Sequence, residues 1–292
     1  MQHMFIISEP MLHLLQSGSS MHLTLPHLYE KHPEYVDYYR LMSENGDWVM
    51  QDNSLFELKE VVAGDLFKYA EMIKASELVV PEVLRDREAS VAAVNEFFRA
   101  ATAQRLKDYK YCCVLQASSY EDLALYYEYV DKQLDGLITT IGIPFDLEYD
   151  AYGDRSEAKQ KAGFNRFSVI RRLVGDQIWN AQKTHHLFGL FNPAELTAYK
   201  AEFPAFIWNS IRSNDSSGCF WHSLYGMRYY ANCGLLYRKI ESHMDFSVSF
   251  THQEQYNTFW RNRDMMLEFV RGCGGEALRS QYKRWSNERP SS

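Results

Sequence analysis

The sequence predicts an α/β fold, a single-domain (β/α)8 barrel of the TIM type, on three observations. Short apolar runs rich in β-forming residues recur along the chain, amphipathic stretches lie between them, and polar residues follow the runs with unusual regularity. The runs are Phe5-Ile6-Ile7, Trp48-Val49-Met50, Leu78-Val79-Val80, Tyr111 to Leu115, Leu137 to Ile141, His186-Leu187-Phe188 and Phe206 to Ile211. A weaker eighth lies near Met244 to Val248. Between them Asp65 to Ala75, Arg87 to Leu106, Ser119 to Leu134 and Glu157 to Gln182 read as helices. Strand, helix, strand at intervals of roughly 25 to 45 residues is the pattern of βαβ units on a parallel sheet. Seven or eight such units favour a closed barrel over an open sheet. No Gly/Pro/Ser-rich linker divides the chain, so residues 1–292 read as one domain, with a frayed tail at about 286–292.

Composition narrows the class. Hydrophobic residues make up 46% and charged residues 24%, the balance of a globular protein with a sizeable core, which excludes disorder for most of the chain. The net charge of -7 advertises no global basic field. Any nucleic-acid contact therefore needs a local basic rim. Its candidates are Arg171, Arg172, Lys183, Arg212 and Arg228, with Arg166, Arg238, Lys239, Arg261 and Arg263 as further members. The five cysteines include one adjacent pair and no CxxC spacing, which argues against a disulfide framework and against a zinc site and favours a reducing cytoplasm. The first residues lack a basic stretch and a long apolar run, so neither a signal peptide nor a membrane span is expected.

In such a barrel the site is built at the C-terminal ends of the strands, which makes the polar residues after each run the ones to collect. They are Asp52-Asn53-Ser54, Glu82, Gln116, then Gly142-Ile143, Gly189, and Ser213-Asn214-Asp215. A lone Asp at such a place is most simply a cap or turn residue, but several on successive strand ends converge on one mouth. Two carboxylates facing a sugar suit substitution at an anomeric carbon, one as nucleophile and one moving a proton. A further carboxylate and an amide suit the hydrogen-bonding edge of a purine.

Six segments carry a resemblance to a known family. They are Met50-Gln51-Asp52-Asn53-Ser54-Leu55-Phe56-Glu57, Glu77 to Asp86 around Pro81-Glu82, Val114-Leu115-Gln116-Ala117, Thr140-Ile141-Gly142-Ile143, His185 to Leu190 with Pro193 and Glu195-Leu196, and Ser210 to Ser217. In order and spacing, across roughly residues 48 to 226, they resemble the queuine/archaeosine-type tRNA-guanine transglycosylases. The resemblance implies a base-exchange reaction without a cofactor. Asp215 would displace guanine and hold the sugar covalently, and Asp52 would act as general acid and base. Glu82, Gln116 and Gly142, with Ile143 and Gly189 beside them, would bind the base.

The chain departs from that family in three places. Nothing matches its CxCxxC-plus-His zinc site, Asn53-Ser54 replace the glycine after the motif aspartate, and Glu82 stands where Asp is usual. The missing zinc subdomain is similar to the phage branch that inserts 7-deazaguanines into DNA to evade restriction. That branch implies DNA as partner, a 7-deazaguanine (preQ0-like) base as co-substrate, the host cytoplasm as location, and a base taken out of the stack. Phe220, Trp221, Tyr225, Tyr229 and Tyr230 are candidates to stack on flanking bases. A tRNA-directed enzyme, a hydrolysing N-glycosidase and a non-catalytic barrel subunit are the alternatives, and a homodimer is left open.

Overall fold

The computed structural model describes residues 1–15, 19–55, 63–145, 147, 162–190, 194–229 and 246–271. Eight strands form one all-parallel sheet: β1 (Gln2–Phe5), β2 (Met21–Thr24), β3 (Trp48–Gln51), β4 (Glu77–Val79), β5 (Lys110–Val114), β6 (Thr140–Ile143), β7 (Thr184–Leu187) and β8 (Ile211–Ser216). Their order around the sheet is β1-β8-β7-β6-β5-β4-β3-β2. β1 and β2 lie side by side at the seam, so the sheet curls into a nearly closed barrel. Ten α-helices are described: α1 (Pro33–Glu44), α2 (Ala63–Ile73), α3 (Arg87–Ala100), α4 (Arg105–Asp108), α5 (Tyr120–Gln133), α6 (Ala162–Gly175), α7 (Ala194–Glu202), α8 (Ala205–Ser210), α9 (Gly218–Leu224) and α10 (Gln253–Arg271). The barrel read from the periodicity is the fold observed.

Local chemistry starts the helices where the strands end. Pro33 occupies the first turn of α1, where its missing N–H costs nothing. Asp86 caps α3 by accepting from Ala89 N at 2.9 Å, and Ser119 caps α5 by accepting from Asp122 N at 3.1 Å. Outward strand residues engage the helices. Gln51 donates to the Leu66 carbonyl on α2, Cys113 meets the Tyr126 hydroxyl on α5, and His185 meets the Tyr127 hydroxyl on α5. Alternation then turns Met50, Cys112, Val114 and His186 into the barrel. Met4, Met50, Val79, Cys112 and Val114 are buried, filling the interior as side chains rather than leaving a pore.

Four readings are corrected. The segment from Phe206 is not a strand: residues 205–210 are α8, and β8 begins only at Ile211. Ile207 and Ser210 are buried while Phe206 is 61% exposed, which is helical spacing. β2 went unread because its four residues carry His22 and Thr24, whose polar groups are satisfied by Asp47 and Tyr29. No strand is found near Met244 to Val248 among the described residues, where Phe246 opens a turn. The first strand also starts earlier than read, at Gln2 rather than Phe5. The tail at 286–292 lies outside the described residues, and among those described no helix is long and apolar enough to cross a membrane.

Candidate active site

The strand bounds bring the six segments to one end of the barrel. Asp52 follows β3 directly, Glu82 lies three residues past β4, and Gln116 two past β5. Gly142 and Ile143 close β6, Gly189 lies two past β7, and Asp215 is the penultimate residue of β8. Asp215 and its neighbours are thus strand residues, not the loop after a strand.

β8 owes its aim to a bulge. His185 pairs with Ile211 and His186 with Ser213, leaving Arg212 as the extra residue. The shift puts Ser213 and Asp215 on the same inward face as His186 and Gly142, which pair with each other across β6 and β7.

Asp215 is 4% exposed. Its Oδ1 lies 3.0 Å from His186 Nε2 and accepts from Gly189 N at 3.0 Å. His186 Nδ1 lies 2.8 Å from Ser213 Oγ. Burial pushes the His186 imidazole below its ordinary range, against the hydrogen bond and charge of Asp215. The Asp215 carbonyl accepts from Leu190 N at 2.6 Å, so the turn after β7 is tied to β8. That turn needs its glycine. Gly189 sits at φ +61°, and a Cβ there would lie 2.5 Å from the Phe145 ring.

Arg166 pins the same turn from α6. Its guanidinium is fully buried and donates to Glu195 through Nε (2.7 Å) and Nη2 (2.9 Å). Its Nη1 donates to the carbonyls of Ile143 (3.2 Å), the last residue of β6, and Phe188 (2.5 Å), just past β7. Glu195 also accepts from the Tyr199 hydroxyl.

Asp52 is partly exposed, and its Oδ1 accepts from Asn53 N at 2.8 Å. Where the resembled family has glycine, Ser54 adopts φ +56°, a conformation costing a non-glycine residue about 1–3 kcal/mol. The turn is held by Asn53, which donates to the Val80 carbonyl and accepts from Leu55 N, each at 2.9 Å. His27 closes it, its Nδ1 2.9 Å from Ser54 Oγ. Glu82 is 9% exposed. The Gln116 carboxamide oxygen accepts from Arg85 N at 3.2 Å. A Cβ at Gly142 would lie 2.6 Å from the Phe188 ring, which packs against this glycine.

Two of the basic candidates lie away from this mouth. Arg212 sits at the opposite, N-terminal end, donating to Glu77 Oε2 at 2.6 Å beside Trp48. Lys183 precedes β7 at that same end and pairs with Asp135 at 2.6 Å. Arg172 stacks on Tyr120 and pairs with Glu121. Arg171 is exposed on α6, and Arg228 pairs with Glu254 at 3.1 Å. Arg166 is no rim residue, being buried. Arg263 pairs with Asp264 on α10, where Arg261 is exposed. Of the aromatic candidates, Phe220, Trp221 and Tyr229 are core and Tyr225 is 58% exposed. Tyr230, Arg238, Lys239, Cys233 and Cys273 lie outside the described residues.

Sequence reasoning missed His186, Phe188, His27 and the Arg166–Glu195 clamp. One signal was present: adjacent histidines in a strand face opposite ways, and His185 does face the helices while His186 faces the barrel. Among the described residues no cluster of three or more His, Cys, Asp or Glu is arranged to hold a metal ion. Compared with known families and with curated proteins, the chain matches no family model and no curated relative.

Proposed function

We propose that this chain is a base-exchanging transglycosylase that replaces guanine in DNA by a 7-deazaguanine. The observation that carries the reading is Asp215, a nearly buried carboxylate at the C-terminal end of a barrel strand with one oxygen held by two nitrogens. Oδ2 is the atom left to act. It attacks the anomeric carbon as the bond to guanine breaks, and the departing base takes a proton from Asp52. The incoming deazaguanine then attacks the same carbon, returns its proton to Asp52 and releases Asp215. Each step conserves the charge on the pair of carboxylates. Glu82 and the Gln116 amide nitrogen offer an acceptor and a donor to the purine edge.

The test offers guanine-labelled DNA and tRNA, separately, with 7-deazaguanine bases, followed by digestion to nucleosides and mass spectrometry. A deazaguanosine in DNA, with release of labelled guanine in equal amount, is the expected result. Modification of tRNA alone would move the substrate. Guanine release without incorporation would make the reaction hydrolysis, and neither product would remove the assignment.

A further inference from the structure

The proposed chemistry needs a carboxylate that points one oxygen at the sugar and keeps it there. The buried line of groups behind Asp215 does this. Ser213 Oγ, His186 and Asp215 Oδ1 are joined at 2.8 and 3.0 Å, and none of the three side chains belongs to a flexible loop: His186 lies on β7, Ser213 and Asp215 on β8.

The protons along that line follow from the partners. An ionised carboxylate only accepts, and Oδ1 already accepts from Gly189 N. A neutral imidazole carries one N–H. Placing it on Nε2 lets His186 donate to Asp215, and Nδ1 then accepts from the Ser213 hydroxyl. The opposite tautomer would aim the Nε2 lone pair at an ionised oxygen, a repulsive contact between two buried groups.

We propose that His186, oriented by Ser213, is a positioning residue that donates from Nε2 to Asp215 Oδ1 and so presents Oδ2 as the attacking atom. The assignment rests on the proposed reaction for its consequence, not for its geometry. It gives β7 a role beyond the backbone turn: together with the Gly189 N–H it fixes both the rotation of the carboxylate and which oxygen is occupied. The charged and titratable groups around the ring are Asp215 and Arg212 on β8, Glu77 on β4 and His3 on β1. Burial outweighs them and keeps the ring neutral, so it donates without adding a positive charge that would pair with, and blunt, the nucleophile.

Two measurements test it. In the first, nitrogen NMR of the full chain labelled at histidine reads the tautomer, with the His186 signal assigned by its loss in His186→Gln. The expected spectrum has Nε2 protonated and Nδ1 bare at pH 7, and it changes in Asp215→Asn and in Ser213→Ala. A ring protonated at Nδ1, or at both nitrogens, overturns the proposal. The second compares exchange by His186→Gln, whose amide nitrogen can reach Oδ1 as a donor, with His186→Leu, which has no donor. Loss of an outer partner that orients a site ligand typically costs about 10- to 100-fold. His186→Leu should lose that much in kcat with KM nearly unchanged, and His186→Gln should recover most of it. Equal kcat for His186→Leu and the wild-type chain overturns the proposal, as does a Gln variant no better than a folded Leu variant. The tautomer is read without substrate. Absence of exchange by the wild-type chain therefore counts against the reaction alone, and the spectrum still decides the role of His186.

Discussion

Acid should unfold this protein through its buried histidines. His3 and His185 are both fully buried. Burial pushes His3 down to about 4, against its hydrogen bond with Asn214, and pushes His185 down to about 3. His185 lies stacked on Trp179 with ring centroids 3.7 Å apart, and the Tyr127 hydroxyl, which accepts from Asn180 N, is 2.8 Å from its Nε2. In the unfolded chain both titrate near 6.5. The unfolded state thus binds protons first, so stability is complete above about pH 6.5 and falls with pH toward the folded values. Each unit below 6.5 costs about 1.4 kcal/mol per histidine. At pH 4.5 the two together remove about 5 kcal/mol, as much as the whole stability of a marginal domain. Urea unfolding followed by circular dichroism at pH 7.5, 6.5, 5.5 and 4.5 measures this as a falling midpoint. His185→Phe, which keeps a ring stacked on Trp179 but cannot take a proton, should flatten the slope by about one proton. A midpoint constant from pH 7 to 5, or an unchanged slope in His185→Phe, would refute the reasoning.

Three further outcomes follow from particular contacts. Asp215→Asn keeps shape but removes the nucleophilic charge, so exchange should fall by several orders of magnitude, about 1,000-fold or more, while binding of the free base, measured by calorimetry, persists. Gly189→Ala meets both a left-handed φ and the Phe145 ring; a destabilisation of about 1–3 kcal/mol in chemical unfolding is expected, with exchange reduced further as the N–H on Asp215 is displaced. Arg166→Met leaves Glu195 buried beside Tyr199 without its cation, which should cost about 3–5 kcal/mol, and Glu195→Gln in the same background should return part of it.

Most of the fold was legible because barrel strands buried on both faces appear as uninterrupted apolar runs. Trp48-Val49-Met50, Leu78-Val79-Val80 and Tyr111 to Leu115 fall on β3, β4 and β5 within a residue or two. The apolar rule failed where polarity and burial part company. The aromatic run from Phe206 looks like a strand by composition, yet it is a helical turn and a half that Pro204 starts and that leaves Phe206 in solvent. β8 itself, Ile-Arg-Ser-Asn-Asp-Ser, contains one apolar residue in six. No pattern of hydrophobicity marks it. It holds as a strand because its polar groups have specific partners: Glu77 for Arg212, His186 for Ser213 and Asp215, His3 for Asn214, and the Gly218 N–H for Ser216.

That failure is informative about the site. A buried strand of polar residues carries a standing cost unless every group is matched, and a sequence under no demand but stability would fill it with apolar side chains, as Leu78 and Val79 do in β4 and Ile141 and Ile143 in β6. Asp215 became a candidate from position alone, since strand ends of a barrel are where chemistry is placed. Its holders could not be read as such, because His186 and Gly189 lie 29 and 26 residues away and meet it only through the register of two strands and one bulge. A cap or turn aspartate would need none of this. Its oxygens would be satisfied by the backbone N–H groups of the next turn, as Asp86 is by Ala89, and a histidine braced by a serine would add nothing to it. The carboxylate that the chain holds from behind, from another strand and without adding a charge, is the one we propose as the nucleophile.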